Sequence, residues 1–317
     1  MGKAKKKNMT VQRSLFFKRL RIDLRDNWTI YLMVLIPLVW LIVFCYVPMS
    51  GIQLAFKTFK AKLGIWGSPW IGFKNFERFF KSYSFGTILW NTISINVYSL
   101  VVGFPIPIVF ALFLNYLRHR RLKKTVQMVS YAPYFISTVV MCGMIIIFLD
   151  KDTGAVNQLL RLLGMDGVNF MGTPAYFKDI YVWTSVWQGM GWSSVIYFAA
   201  LSGISPELHE AAKCDGATKF QIIRYIDFPS ILPTATIQLI LSCGSILSIG
   251  FEKAFALQND LNTSVSEIIS TYVYKVGMID NNMSYSSAIG LFNTLVNLVI
   301  LVIVNKAADK MSGTSLF

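Results

Sequence analysis

The sequence has no Gly-x-x-x-x-Gly-Lys-Ser/Thr phosphate loop, so the chain is not expected to bind and split ATP by that route. Energy for any work it does must come from another subunit. Acidic residues are scarce, 16 against 30 lysines and arginines, and histidine stands only at His119 and His209. No cluster of metal ligands and no nucleophile with a base partner lies on an apolar stretch, which argues against an intramembrane enzyme and gives no reason to expect a metal or cofactor on the chain itself. The cysteines Cys45, Cys142, Cys214 and Cys243 are scattered singly, so neither a disulfide framework nor a zinc site is indicated.

Charge is missing altogether from six long stretches, near Thr29–Ala55, Phe85–Tyr116, Val126–Leu149, Ile180–Ile204, Ser230–Phe251 and Ser284–Val304. A bilayer core about 30 Å thick needs about 20 mostly apolar residues to cross it. With 54% hydrophobic residues and a mean hydropathy of +0.52, gathered into blocks rather than stripes, the chain reads as an all-α polytopic membrane protein with about six spans. Because those spans carry no carboxylate or basic group, a proton-coupled carrier loses weight. The first block follows a basic leader and precedes no small-residue cleavage pattern, so it is expected to be retained rather than removed as a signal peptide. Met1-Gly2 without Ser or Thr at position 6 speaks against myristoylation.

The basic residues that are present set the orientation. The leader, residues 1–28, carries Lys3, Lys5, Lys6, Lys7, Arg13, Lys18, Arg19, Arg21 and Arg25, and the short second loop adds Arg118, Arg120, Arg121, Lys123 and Lys124. Lys and Arg accumulate on the cytoplasmic side, so both termini and the second and fourth loops are expected there. The first loop, with Lys57, Lys60, Lys62, Lys74, Arg78 and Lys81, is basic although assigned outside, but the leader and second loop are denser. A net charge of +14 gathered beside the first three spans fits anionic headgroups rather than nucleic acid. Val11–Asn27 sets Leu15, Phe16, Leu20 and Leu24 among basic residues at near-helical spacing, which suits an amphipathic helix on the inner surface or a solvated arm.

The fourth loop, residues 205–229, reads as ordered helix. Ser205, Pro206 and Glu207 supply an N-cap, a proline at the first helical position and an acid in the first turn. Ala211 and Ala212 follow; Gly216 permits a sharp turn, Asp215 is expected to cap a second helix over Phe220–Ile226, and Pro229 is expected to mark the boundary of the fifth span. Two short helices on a glycine corner make a rigid projection able to pass force into the spans.

The run Glu210-Ala211-Ala212-x-x-Asp215-Gly216-Ala217, with Ile223, Ile226 and Pro229 after it, resembles the EAA loop of type I ABC importer permeases. Ile223 stands where that family usually has Phe or another apolar residue, and Phe228 where it usually has Leu; both keep apolar character. The resemblance implies that Glu210 to Gly216 form a coupling helix docking into a groove of a separate ATPase dimer, which binds the MgATP. It also implies a second homologous permease, an extracytoplasmic solute-binding protein, and a place in a bacterial plasma membrane. A second run, Tyr46-Val47-Pro48-Met49-x-Gly51-x-x-x-Ala55-Phe56-Lys57-x-Phe59 followed by Trp70-Ile71-Gly72-Phe73-x-Asn75-Phe76, is similar to the polysaccharide or aldouronate-type branch of sugar permeases. Together they cover roughly Thr29 to the C-terminus, with a first span and outer loop at 29–84, a core domain at 85–305 and a cytoplasmic tail at 306–317. Other solutes, such as glycerol phosphate or a peptide, and a secondary carrier working alone are the rival readings.

Sugars call for hydrogen-bonding side chains and flat aromatic contacts near mid-membrane. Gln238, Ser242 and Ser245 share one face of the fifth span, which suits a translocation path or packing between spans. Trp192 and Tyr197 lie deeper on the fourth span than Trp183 and Trp187, which suit an interfacial belt. Asn293 and Asn91 are further polar positions. Gly103, Pro105 and Pro107 are expected to kink or break the second span.

Overall fold

The computed structural model of the chain describes residues 23–248 and 250–312, and every regular element among them is a helix. The amphipathic stretch expected at Val11–Asn27 lies largely outside the described residues. Helix α1 (Trp28–Leu41) continues through a widened turn, Ile42–Tyr46, and a tight 3-10 stretch, Ser50–Phe56, as one apolar rod of 29 residues. No residue of α1 is buried, and it is apolar on all sides, the surface a lipid-facing helix presents. Its widened turn falls just before Val47-Pro48. Proline has no N–H and its ring crowds the carbonyl four residues back, so a wider i-to-i−5 turn, Val47 N–H to Ile42 O, absorbs the misfit.

Among the described residues, four helical stretches are long and apolar enough to cross a membrane: Trp28–Phe56, Phe85–Tyr116, Lys219–Gly244 and Met283–Lys310. The second comprises α3 (Phe85–Gly103) and α4 (Pro105–Tyr116), which part at Phe104 where the expected kink falls. A bent pair makes a fifth, and the 26-residue α8 (Phe177–Ser202) takes the place of the fourth expected span. At 1.5 Å per residue α8 is about 39 Å long, but Thr184, Ser185, Gln188 and Ser193 make it less apolar.

Two expected spans are corrected. The third is not one rod: α5 (Arg120–Tyr131) and the 3-10 turn Ala132–Phe135 meet α6 (Thr138–Phe148) at 101°. Pro133 stops the first piece, the Ser137 hydroxyl accepts from Val140 N–H to start the second, and Gln188 Nε2 donates 3.0 Å to the freed Ile136 carbonyl. Irregular backbone inside a membrane domain persists only where such partners meet it. The fifth span, expected to run to Phe251, stops at Gly244. Leu247 N–H is taken up by Asn297 Oδ1 at 3.0 Å before short α12 (Phe251–Leu257) begins.

Further helices are α2 (Lys74–Phe80), α7 (Ala155–Leu162), α9 (Pro206–Cys214), α10 (Lys219–Ile222), α11 (Phe228–Gly244), α13 (Ile269–Tyr274) and α14 (Met283–Ser312), beside short single turns at Val47–Met49, Gly64–Gly67 and Thr263–Ser266. Three apolar clusters hold them together. Ile95, Met141, Tyr181 and Leu257 join α3, α6, α8 and α12; Phe79, Ile88, Tyr285 and Ile289 tie α2 to α3 and α14; Ile108, Tyr197, Ile231 and Ala235 join α4, α8 and α11. Gly191 of α8 lies so close to Ser130 of α5 that a Cβ there would stand 2.1 Å from its carbonyl oxygen.

The second sequence run forms a clasp at the end of the first span. Lys57, 2% exposed, donates to Gln53 Oε1 and to the carbonyls of Ile65 and Trp66 and sits 4.7 Å over the Trp70 ring, while Asn75 Nδ2 bonds the carbonyls of Ala55 and Lys57. Arg78 lies over Tyr285, and Lys81 pairs with Glu77. Half the basic residues of this loop are thus committed to local contacts, which removes part of its conflict with the charge rule.

Candidate functional site

Two regions collect the candidate residues. At the corner formed by residues 205–229, Ser205 Oγ accepts from Glu207 N–H at 3.3 Å, Pro206 opens α9, and the helix closes on Gly216 at φ +77°. Gly216 N–H donates to Lys213 O and Ala217 N–H to Ala212 O, the paired bonds of a Schellman ending, which requires a left-handed residue that glycine adopts without cost. The next cap is Thr218, not Asp215: Thr218 Oγ1 accepts from Gln221 N–H, and Gln221 Oε1 accepts from Thr218 N–H at 2.7 Å. Asp215 instead ends α9. Nor does Pro229 bound the span, since Lys219–Gly244 is one helix that widens at Ile223–Asp227 just before Phe228-Pro229, as α1 does before its own proline.

Glu210, Ala211, Asp215 and Gly216 are exposed, Ala212, Ala217, Ile223 and Ile226 half-buried, and Pro229 exposed. Around them the apolar side chains of Leu208, Phe220 and Tyr225 also stand in the open, at 54%, 70% and 69% exposure. Behind α9 a groove of about 440 Å³ is lined by Tyr116, Arg118, His209, Glu210, Lys213 and Lys219. Beside it Asp227 is fully buried, accepting from Tyr116 OH at 2.7 Å and facing His209 Nε2 at 2.8 Å.

The second region is a cavity of about 530 Å³ between α3, α4, α8 and the end of α11. Gln238, Ser242, Ser245, Trp192 and Tyr197 all line it, together with Asn96, Ser99 and Ser193, and no charged side chain does. Ser242 donates its hydroxyl to Gln238 O, and Ser245 to Leu241 O and Ser242 O, so their oxygens are left to accept. Ser99 Oγ is buried and has no hydrogen-bond partner among the described residues. Trp192 stacks on Tyr134 at 5.0 Å and 11°, so its ring is oriented by the bend of the third span. Asn293 does not line this cavity; its Oδ1 is buried elsewhere without a partner among the described residues. Asn91 bonds the carbonyls of Ser264 and Glu267. Among the described residues no three His, Cys, Asp or Glu side chains are grouped to hold a metal ion.

Two buried charges escape the sequence reading. Asp227 lies three residues before the fifth expected span, and Lys253 two residues after it. Lys253, 6% exposed, donates to Tyr181 O at 3.1 Å and Ser185 Oγ at 2.6 Å and has no carboxylate partner among the described residues. The available signal for Asp227 was a lone charge between apolar neighbours, Ile226 and Phe228; Lys253 follows Glu252 directly and carries no such signal, although Phe251, Ala254 and Phe255 surround the pair.

Comparison with known proteins agrees with this architecture. A family described as binding-protein-dependent transport system inner membrane component matches residues 103–313. The polygalacturonan/rhamnogalacturonan transport system permease protein YteP of Bacillus subtilis (strain 168) is 37% identical over 95% of this chain and 94% of its own length. Protein LplB of the same organism is 36% identical over 92% of each. A crystal structure of a bacterial ABC transporter involved in the import of the acidic polysaccharide alginate matches with 37% identity and a TM-score of 0.86, covering 93% of this chain and 99% of that one. A bacterial alginate ABC transporter in complex with an alginate pentasaccharide-bound periplasmic protein matches with 36% identity and a TM-score of 0.87, over 94% and 100%. The family match over most of the helical core, and the likeness of fold along nearly the whole chain, make this protein a member of the binding-protein-dependent transport system inner membrane components, a permease subunit of an ABC importer.

Proposed function

We propose that the chain forms half of the translocation path for an oligosaccharide and takes its energy from a separate ATPase dimer docked on α9. The cavity carries this reading. Gln238, Ser242, Ser245 and Asn96 offer neutral hydrogen-bonding groups, and Trp192 and Tyr197 offer aromatic surface, the combination that hydroxyl-rich rings need. Relatives described as carrying polygalacturonan, arabinooligosaccharides and alginate support a saccharide over glycerol phosphate or a peptide. The second half of the path belongs to a homologous permease, and an extracytoplasmic binding protein delivers the solute.

The exposed corner supports the docking role. Glu210, Ala211, Ala212, Asp215, Gly216 and Ala217 make a narrow projection ringed by the largely exposed apolar side chains of Leu208, Phe220 and Tyr225. Orientation follows the charge rule, with both termini and this corner on the cytoplasmic side. MgATP is the partner's ligand; nothing in the corner is asked to bind it.

The test is uptake in proteoliposomes holding both permeases, the ATPase and the binding protein. ATP-dependent uptake of labelled oligosaccharide, lowered about tenfold or more by Gln238→Leu with the complex intact, is the expected result; a tenfold change corresponds to about 1.4 kcal/mol, the scale of one hydrogen bond. Competition by unlabelled glycerol phosphate or peptide would redirect the substrate assignment. Solute movement by the purified chain without any ATPase would establish a carrier acting alone.

A further inference from the structure

Asp227 has both carboxylate oxygens in use, and its two partners belong to different parts of the molecule. Tyr116 is the last residue of α4, His209 stands in the middle of α9, and Asp227 closes the widened turn that leads into α11. The distances, 2.7 Å to Tyr116 and 2.8 Å to His209, join three elements on one buried group.

Helix α9 has little else to hold it. None of its residues is buried, and it packs extensively against no other element. Among the described residues, His209 makes the only side-chain hydrogen bond from α9 to another element. A polar cluster around a buried carboxylate is a poor way to gain stability, because desolvation offsets most of the attraction, but it fixes one geometry strongly. Here the geometry it fixes is that of the exposed docking helix relative to the inner ends of two spans.

We propose that His209, Asp227 and Tyr116 are positioning residues that form the joint through which α9 moves as one body with α4 and α11. Displacement of the docked helix then reaches the inner ends of both spans instead of being taken up in the chain between them. The inference rests on the docking of an ATPase at α9.

The experiment uses the full complex of both permeases with the ATPase dimer. With Cys45, Cys142 and Cys243 replaced, spin labels are placed on Cys214 at the end of α9 and on Leu117→Cys just past α4, and their separation is measured without nucleotide and with trapped MgATP. A rigid joint keeps the separation constant between the two states, while His209→Ala and Asp227→Asn let it shift by about 2 Å or more, the scale of helix displacements in switching transitions. Tyr116→Phe, which deletes one oxygen, is expected to give a smaller shift, and the exchange His209→Asp with Asp227→His to restore constancy. A separation that changes as much in the parent protein as in the variants, or that stays fixed in all of them, overturns the joint. Failure of the ATPase to bind the parent complex overturns the docking reading itself, a result visible before any distance is measured.

Discussion

The corner at residues 205–229 and the central cavity are built in different ways. At the corner, the bonds that shape the turn join Ser205 to Glu207, Gly216 to Lys213, Ala217 to Ala212 and Thr218 to Gln221, all within a few residues. The cavity gathers Asn96, Trp192 and Gln238 from three spans far apart in the chain. The buried charges differ as well. Asp227 is answered by two side chains that donate to it, whereas Lys253 is met by a backbone carbonyl and a hydroxyl with no opposite charge. A locally built element keeps its shape whatever packs on it, and a cavity keeps its shape only while the spans around it hold their spacing.

Substitutions can test that contrast by thermal and denaturant unfolding of the purified protein in detergent. The largest effect is expected from Asp227→Ala, which leaves His209 and Tyr116 facing a void: breaking one side of a buried pair costs about 3–5 kcal/mol. A melting temperature equal to the parent's would mean that the corner does not depend on the carboxylate. In the cavity region, Gly191→Ala forces α8 away from the Ser130 carbonyl and should cost about 2–3 kcal/mol, with loss of the Trp192–Tyr134 stack seen as a change in tryptophan fluorescence.

Gly216 sharpens the contrast from the local side. No atom lies within 4 Å of a Cβ built there, so crowding inside the chain is not the issue and the left-handed backbone is. Gly216→Val should cost about 1–2 kcal/mol and Gly216→Asn much less, because asparagine tolerates that conformation. Equal losses for the two would show that shape rather than backbone strain decides. Thr218→Ala removes one half of the reciprocal cap at a cost of about 1 kcal/mol, and amide exchange at Gln221 should rise with it. The smallest change is expected for Lys253→Met, within about 1 kcal/mol, since the lost bonds are offset by removal of an unpaired buried charge; a drop comparable to that of Asp227→Ala would mean the ammonium has a stronger partner than the Tyr181 carbonyl and Ser185.

Much of the corner was legible because capping, proline placement and glycine turns act through neighbours in sequence. Asp215 was misassigned as a cap for the same reason: Thr218 with Gln221 three residues on is the better reciprocal pair, and only the side-chain hydrogen bonds distinguish it from an aspartate four residues before the helix. Pro229 looked like a boundary because proline normally ends a helix, yet a widened turn before it lets the helix run on. In the cavity, the spacing of Gln238, Ser242 and Ser245 placed them on one face, but which face met α3 and α8 depended on packing. Asn293 had the same polar character and turned elsewhere.

The amino-acid sequence alone determined that the chain is helical, that it crosses a membrane about six times, and that the loop at residues 205–229 is a preformed projection. Those properties follow from run length and neighbour chemistry, which the bilayer and the backbone impose on any chain. Tertiary structure alone decided that the third span bends and the fifth stops early, that Asp227 and Lys253 are buried, and that five polar and aromatic candidates share one cavity. A bend persists, and a charge stays buried, only where a distant residue supplies the missing hydrogen bond, and such distant pairings leave no periodicity along the chain.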